Sequence, residues 1–222
     1  MTGSATALLF VQADVEAGHE AEWNRWYNEK HVPDLLSRPG FLGGRRFERV
    51  TEGVGVAGPL PRYLAAYDLA GAEALNTDEY RAIRQPPIYT EQDRSMLRLF
   101  RNANRAVFAQ IGEWPAGGAD VAAAGGLIAA GLVPTQEGEE EYNAWYEQEH
   151  IPYILAVPGV LRVRRFRALE GEPAYLALWD LTAPEVRGSE AFARAADTPW
   201  SARIRQRCER KVTGLYRPVT EA

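Results

Sequence analysis

"WYNEKHVPDLLSRPG", Trp26 to Gly40, returns as "WYEQEHIPYILAVPG", Trp145 to Gly159. Both copies keep an aromatic pair, a histidine, two prolines and the final glycine. The register shift of 119 residues aligns more than this phrase. Residues 23–50 and 142–169 are identical at 12 of 28 positions: Asn24, Trp26, Tyr27, His31, Pro33, Leu36, Pro39, Gly40, Leu42, Arg45, Arg46 and Phe47. Unrelated segments of average composition would share about two. Further on, "YLAAYDL" at Tyr63 returns as "YLALWDL" at Tyr175, a shift of 112, so the first copy carries seven more residues in between. They fall in the Gly/Pro-rich "TEGVGVAGPLP" that starts at Thr51, where added loop length costs little.

A period this long is not that of a solenoid; it marks a duplicated domain. The expected division is a first repeat over 1–113, a linker over 114–124 within "GEWPAGGADVAAAGG", and a second repeat over 125–222. In each repeat a short apolar strand ("ALLFVQADV", "GLIAAGLVP") precedes a helix, about Glu20–Lys30 and Glu139–Glu149. The apolar Trp23, Trp26 and Tyr27 are spaced three and four apart, as one buried helical stripe requires. Two strands follow ("FLGGRRFERV" with "YLAAYDL"; "VLRVRRFRAL" with "YLALWDL"). Second helices are expected in "AEALNTDEYRAIR" and "PEVRGSEAFARAA", with Thr77 and Ser189 as local caps or turn formers. Closing strands fall near Asn104–Ile111 and Val212–Arg217. The order β-α-β-β-α-β, twice, is an α+β class of two ferredoxin-like units, each an antiparallel sheet with its helices on one face. The free face of one sheet is best covered by the other, which encloses either packed core or a pocket.

Proline disfavours helix at the residue before it. Pro33 therefore predicts a helix break near His31 and a short new turn through Leu36, and "PG" at Pro39 turns the chain into the next strand. His31 then aligns with Tyr27 at i+4 and Trp23 at i+8, and His150 with Tyr146 and Tyr142. Two readings stay open. In one, the imidazole caps a helix end. In the other, one of the two histidines faces a pocket and moves protons.

These residues carry a family likeness. "WYNEKHVP" and "WYEQEHIP" resemble the Tyr-x-x-x-His-x-Pro helix end of EthD-like proteins, of the dimeric α+β barrel superfamily, and "PGFLGGRRF" and "PGVLRVRRF" resemble the strand that follows it there. The likeness covers both halves, so the chain resembles a dimer joined in tandem into one intramolecular barrel. It implies a ligand between a sheet and its own helices, or between the sheets. It carries His31 and His150, with Tyr27 and Tyr146, as acid/base and positioning candidates. The superfamily spans cofactor-free monooxygenases, cyclases, isomerases, dehydratases and haem proteins, so fold alone does not select the chemistry.

The halves also differ. Gly43 and Gly44 stand where the second copy has Arg162 and Val163, which makes room for a pocket or for a bulge. Asp34, where the second copy has Tyr153, lies three residues from His31 and could orient its imidazole, or simply dress a first helical turn. In the doublets Arg45-Arg46 and Arg164-Arg165 one member points to each sheet face. An inward one could bind a carboxylate or enolate oxygen, or pair with a helix carboxylate. Tyr63 and Tyr175, with Tyr67 and Trp179 on the same strands, could line an aromatic pocket or belong to the core, and Trp26 and Trp145 are further candidates for contact with a substrate.

Composition closes other routes. A net charge of -5 offers no concentrated basic face for nucleic acid. The single Cys208 makes no internal disulfide, which fits a reducing, cytoplasmic setting. No membrane-length apolar run or secretory signal is seen in the sequence. Three histidines without a Cys cluster or an H-x-x-x-H helix give no metal site, and no Gly-rich dinucleotide fingerprint or serine elbow occurs. Haem, through one axial His, stays open without an attachment motif. The expectation is a cofactor-independent enzyme of lyase or isomerase type, acting on a small apolar, aromatic or polyketide-like molecule. Alternatives are a non-catalytic small-molecule-binding or stress-associated protein, a cofactor-free monooxygenase, or a haem-binding protein. The tandem unit could pair further as a homodimer.

Overall fold

The computed structural model describes residues 5–50 and 60–219, the side chains of 209–212 excepted. The seven-residue insertion expected in "TEGVGVAGPLP" lies essentially outside the described residues. The first repeat runs β1 (Ala7–Val15), α1 (Glu20–Trp26), a π-helical turn (Tyr27–His31), α2 (Val32–Leu36), β2 (Phe41–Arg49), β3 (Tyr63–Leu69), α3 (Asp78–Ala82), α4 (Glu91–Arg98) and β4 (Phe100–Pro115). The second runs β5 (Gly126–Pro134), α5 (Glu139–Trp145), a π-helical turn (Tyr146–His150), α6 (Ile151–Leu155), β6 (Val160–Glu170), β7 (Tyr175–Leu181), α7 (Glu190–Ala196), α8 (Pro199–Gln206) and β8 (Cys208–Pro218). No helix among the described residues is long and apolar enough to cross a membrane.

Each repeat forms an antiparallel sheet, in the orders β4-β1-β3-β2 and β8-β5-β7-β6. The edges then pair across repeats, β2 with β8 and β4 with β6, and close an eight-stranded barrel. Closure leaves no open sheet edge. It also explains why the last strands are longer than the sequence suggests. Beyond Ile111, β4 continues along β6, with Gly112 opposite Arg165 and Pro115 opposite Arg162. The "PG" turns are built as expected: Gly40 and Gly159 have φ of +86° and +92°, a region closed to most side chains.

The barrel interior is packed core. Leu8, Phe10, Leu64, Phe108, Leu127, Phe166 and Leu178 fill it, and buried Gln12 donates to the Tyr216 hydroxyl at 2.8 Å. Two further apolar layers lie between each sheet and its own helices.

The helix break expected at Pro33 does not occur. The chain stays helical from Glu20 to Leu36, and Val32 keeps helical angles (φ −64°, ψ −50°) although proline follows it. The turn widens by one residue instead, and the Val32 N–H bonds the Tyr27 carbonyl five residues back. A wider turn relieves the clash between a proline ring and the carbonyl preceding it by one turn. Residues five apart then share a face, so His31 stacks on Trp26 while keeping the expected i+4 contact with Tyr27; Trp23, at i+8, makes no ring contact with it. The second repeat does the same with His150 and Trp145.

The second helical segments are also longer than expected. Thr77 and Ser189 do cap α3 and α7, accepting from the Tyr80 and Phe192 N–H groups. A further helix follows each, α4 and α8, opened by Thr90 and Thr198.

Candidate functional site

Between the first sheet and its helices lies a cavity of about 390 Å³, within the usual range of small-molecule pockets. β1 and β3 supply Leu9, Val11 and Tyr67 to its floor. The helical stretch 26–35 supplies Trp26, Tyr27, His31, Asp34 and Leu35, and the α3–α4 region supplies Tyr80, Ile83, Tyr89, Asp93 and Leu97. Most of this wall is aromatic or aliphatic; Arg84 and Arg105 add cations at the lining.

His31 is the imidazole of this cavity. Its ring stacks on Trp26 (centroids 4.8 Å apart, 27° between planes) and meets Tyr27 edge-on at 4.8 Å. Burial pushes its pKa down to about 4; the carboxylates of Asp34 and Asp93 pull upward, while Lys30 and Arg46 add to the fall. At neutral pH it is therefore uncharged, with a basic nitrogen.

Asp34 is not hydrogen-bonded to His31. Lys30 takes it at 2.7 Å and also reaches Asp93 at 2.9 Å. Asp93 in turn accepts from the Trp26 indole at 2.9 Å and forms a capping box with Thr90. Those hydrogen bonds outweigh burial and hold its pKa at about 2. The carboxylates thus act on His31 through space, and the network ties α4 to the helix that carries His31.

The Tyr67 hydroxyl donates toward that of Tyr27 at 3.4 Å. Burial raises the pKa of both, so both stay protonated as donors at neutral pH. The guanidinium of Arg46 lies 4.0 Å over the Tyr27 ring and bonds Asn24 and Asn28 at 2.7 and 2.6 Å. Arg165 repeats this over Tyr146 at 4.1 Å, bonding Asn143. The other two arginines cross between repeats, Arg45 to Asp180 and Arg164 to Asp68. All four arginines singled out in the sequence are therefore held by protein partners.

The second repeat places His150 in a tighter setting. It stacks on Trp145 at 4.2 Å and meets Tyr146 at 5.3 Å and Trp179 at 5.4 Å. Its Nδ1 is buried with no hydrogen-bond partner among the described residues. Burial, then Arg205, Arg165 and Arg187, lower its pKa to about 3. The structure thus groups His31, Tyr27, Trp26, Tyr67 and Asp34 around one cavity, and His150, Tyr146, Trp145 and Trp179 in a separate cluster.

Sequence reading missed Lys30, Tyr80, Asp93 and Leu97. The signal for α4 was present: "TEQD" at Thr90 is a capping-box pattern.

No protein-family profile matches the chain, and no curated protein matches it. Solved structures do. An anthrone oxidase-like protein superposes with a TM-score of 0.66 at 10% identity, covering 98% of this chain and 92% of its own. A Fusobacterium nucleatum protein provisionally named a monooxygenase gives 0.63 at 10%, covering 98% and 94%. A ferredoxin-fold protein from Listeria monocytogenes, related to antibiotic biosynthesis monooxygenases, gives 0.52 at 8%, covering 98% and 96%. At these identities the likeness establishes the fold, a full-length match to a ferredoxin-like barrel. The EthD-like affiliation finds no profile to support it.

Proposed function

We propose that the first-repeat cavity binds a small, largely apolar aromatic or polyketide-like molecule and that His31 removes a proton from it without a cofactor. The observation that carries this reading is a neutral imidazole, without a hydrogen bond among the described residues, stacked in the wall of an aromatic cavity of about 390 Å³. An imidazole with so low a pKa is present as base at neutral pH but is a weak one. Efficient transfer then needs an acidic substrate proton, such as a C–H between an arene and a carbonyl, or a phenolic O–H.

The geometry supports the following roles. His31 accepts the proton. The charge it gains is favoured by Asp34 and Asp93. The Tyr27 hydroxyl, which accepts from Tyr67, donates its own proton to the enolate or phenolate oxygen that develops. Trp26 fixes the imidazole plane. Elimination, isomerisation or cyclisation each proceed from such an anion. In this reading His150, Tyr146 and Trp145 repeat the framework, and Arg45, Arg46, Arg164 and Arg165 hold it.

The test is proton washout. 2-Tetralone, whose benzylic C–H lies next to a carbonyl, is incubated with the protein in D₂O and followed by proton NMR. Enzyme-dependent exchange that falls about 100-fold in His31→Ala supports the reading. Exchange unchanged by His31→Ala overturns the base assignment, and binding without exchange favours a non-catalytic binding protein.

The names of two similarly folded proteins, anthrone oxidase-like and monooxygenase, favour a variant in which the carbanion meets dioxygen. Oxygen consumption in the same incubation would mark it. Haem is the other group to weigh. A neutral imidazole is chemically suited to hold haem iron, and His31 is the residue that would do so; bound haem would bring oxidative chemistry. A Soret band shift with hemin that His31→Ala abolishes would favour that alternative.

A further inference from the structure

The two repeats share the π-turn, the stacked histidine and the tyrosine beneath it, yet among the differences between their floors is one pair of facing residues. In the first repeat Gly44 on β2 lies opposite Tyr67 on β3. In the second, Val163 on β6 lies opposite Trp179 on β7. Both pairs face the helices: Tyr67 belongs to the first helix-facing core, and Val163 and Trp179 to the second.

Gly44 is where the Tyr67 ring rests. A Cβ on Gly44 would lie 2.8 Å from Cδ1 and 3.1 Å from Cε1 of that ring, and 3.4 Å from Leu36. The neighbouring Gly43 is different: a Cβ there would meet only Asp68 Oδ2, at an ordinary 3.8 Å. With no side chain beneath it, the Tyr67 ring lies back over β2 and its hydroxyl turns to Tyr27. It makes no ring contact with His31. In the second repeat Val163 occupies the same place, and the Trp179 ring stands against His150 at 5.4 Å.

We infer that Gly44 is the specificity-determining position of the site: it seats Tyr67 away from His31 and so keeps the cavity beside the imidazole open to a flat aromatic ring. The inference rests on the proposed ligand cavity but not on its chemistry. A side chain at 44 lifts Tyr67 toward His31 and narrows the first cavity, reproducing the second repeat, where Val163 and Trp179 are buried and Trp179 stands against His150.

The experiment is calorimetric titration of the full-length protein with 2-naphthol, a flat probe that binding alone reports. Gly44→Ala is expected to weaken binding about 10-fold or more, the effect of overpacking by one methyl. Gly43→Ala is expected to stay within about twofold, because its Cβ has room. Gly44→Ala combined with Tyr67→Leu, which removes the obstructing ring, is expected to recover most of the loss. Should Gly44→Ala fail to fold, the reverse exchange decides: Val163→Gly with Trp179→Tyr is expected to add a second site and raise the stoichiometry from one to two. Gly44→Ala binding like the unsubstituted protein, equal losses at 43 and 44, or no second site in the reverse exchange would overturn the inference. Failure of the unsubstituted protein to bind would instead overturn the ligand-cavity reading on which it rests.

Discussion

Arg45 of the first repeat reaches Asp180 of the second at 2.9 Å, and their counterparts do the reverse: Arg164 of the second repeat pairs with Asp68 of the first. The two halves are thus bolted by one contact used twice, as a self-complementary interface is. Asp180 is fully buried and also holds Arg162 at 2.8 Å, whereas Asp68 is 30% exposed.

That asymmetry gives unequal costs. Asp180→Asn leaves two arginines facing a neutral amide and is expected to cost about 3 kcal/mol. Asp68→Asn leaves one arginine, the buried Arg164, facing an amide that water still reaches, and is expected to cost about 2 kcal/mol. Urea unfolding of both variants checks the order; equal losses would contradict it.

Asp93 joins a helix cap to the cavity. Asp93→Ala removes the capping box and the acceptor for the Trp26 indole, and is expected to cost about 2 kcal/mol. Asp93→Ser copies the second repeat, where Ser201 accepts from the Trp145 indole at 3.2 Å. It is expected to keep about half of that stability. Thermal unfolding distinguishes the two; a serine variant no better than alanine would contradict the role of the cap.

The buried histidines set a pH window. Folding lowers the pKa of His31 to about 4 and of His150 to about 3, from 6.5. Between those values the unfolded chain binds more protons, so stability is full above about pH 6.5 and declines as pH falls toward 4. The depressed carboxylate Asp93, at about 2, acts lower, as pH falls below about 4. His150→Asn is expected to flatten the slope of the urea midpoint between pH 7 and 5. A slope unchanged in this variant and in His31→Asn would show that neither histidine is held neutral by the fold.

Arg46 is a clamp between β2 and α1. Arg46→Lys keeps the charge but loses the fork that bonds Asn24 and Asn28 and the flat contact over Tyr27. A loss of about 1–2 kcal/mol is expected in urea unfolding. A lysine variant as stable as the parent would contradict the clamp.

Much of this was legible before any coordinates. The repeat, the β-α-β-β-α-β order and the caps at Thr77 and Ser189 follow from residues adjacent in sequence. The pairing of His31 with Trp26 did not, because one extra residue in the turn changes which side chains stack, and helix-break rules at Pro33 pointed the other way. Asp93 escaped because its partners Trp26 and Lys30 are more than sixty residues away. The Gly43-Gly44 pair announced room, but only cross-strand register shows that Gly44 faces Tyr67 and Gly43 faces Asp68.

The chain has three histidines, so imidazole ¹⁵N NMR can follow each during a titration with 2-naphthol at pH 7. The account predicts that His31 starts neutral and shifts on binding, while His19 and His150 stay where they were. A shift at His150 with His31 unmoved, or a His31 already protonated at neutral pH, would contradict it.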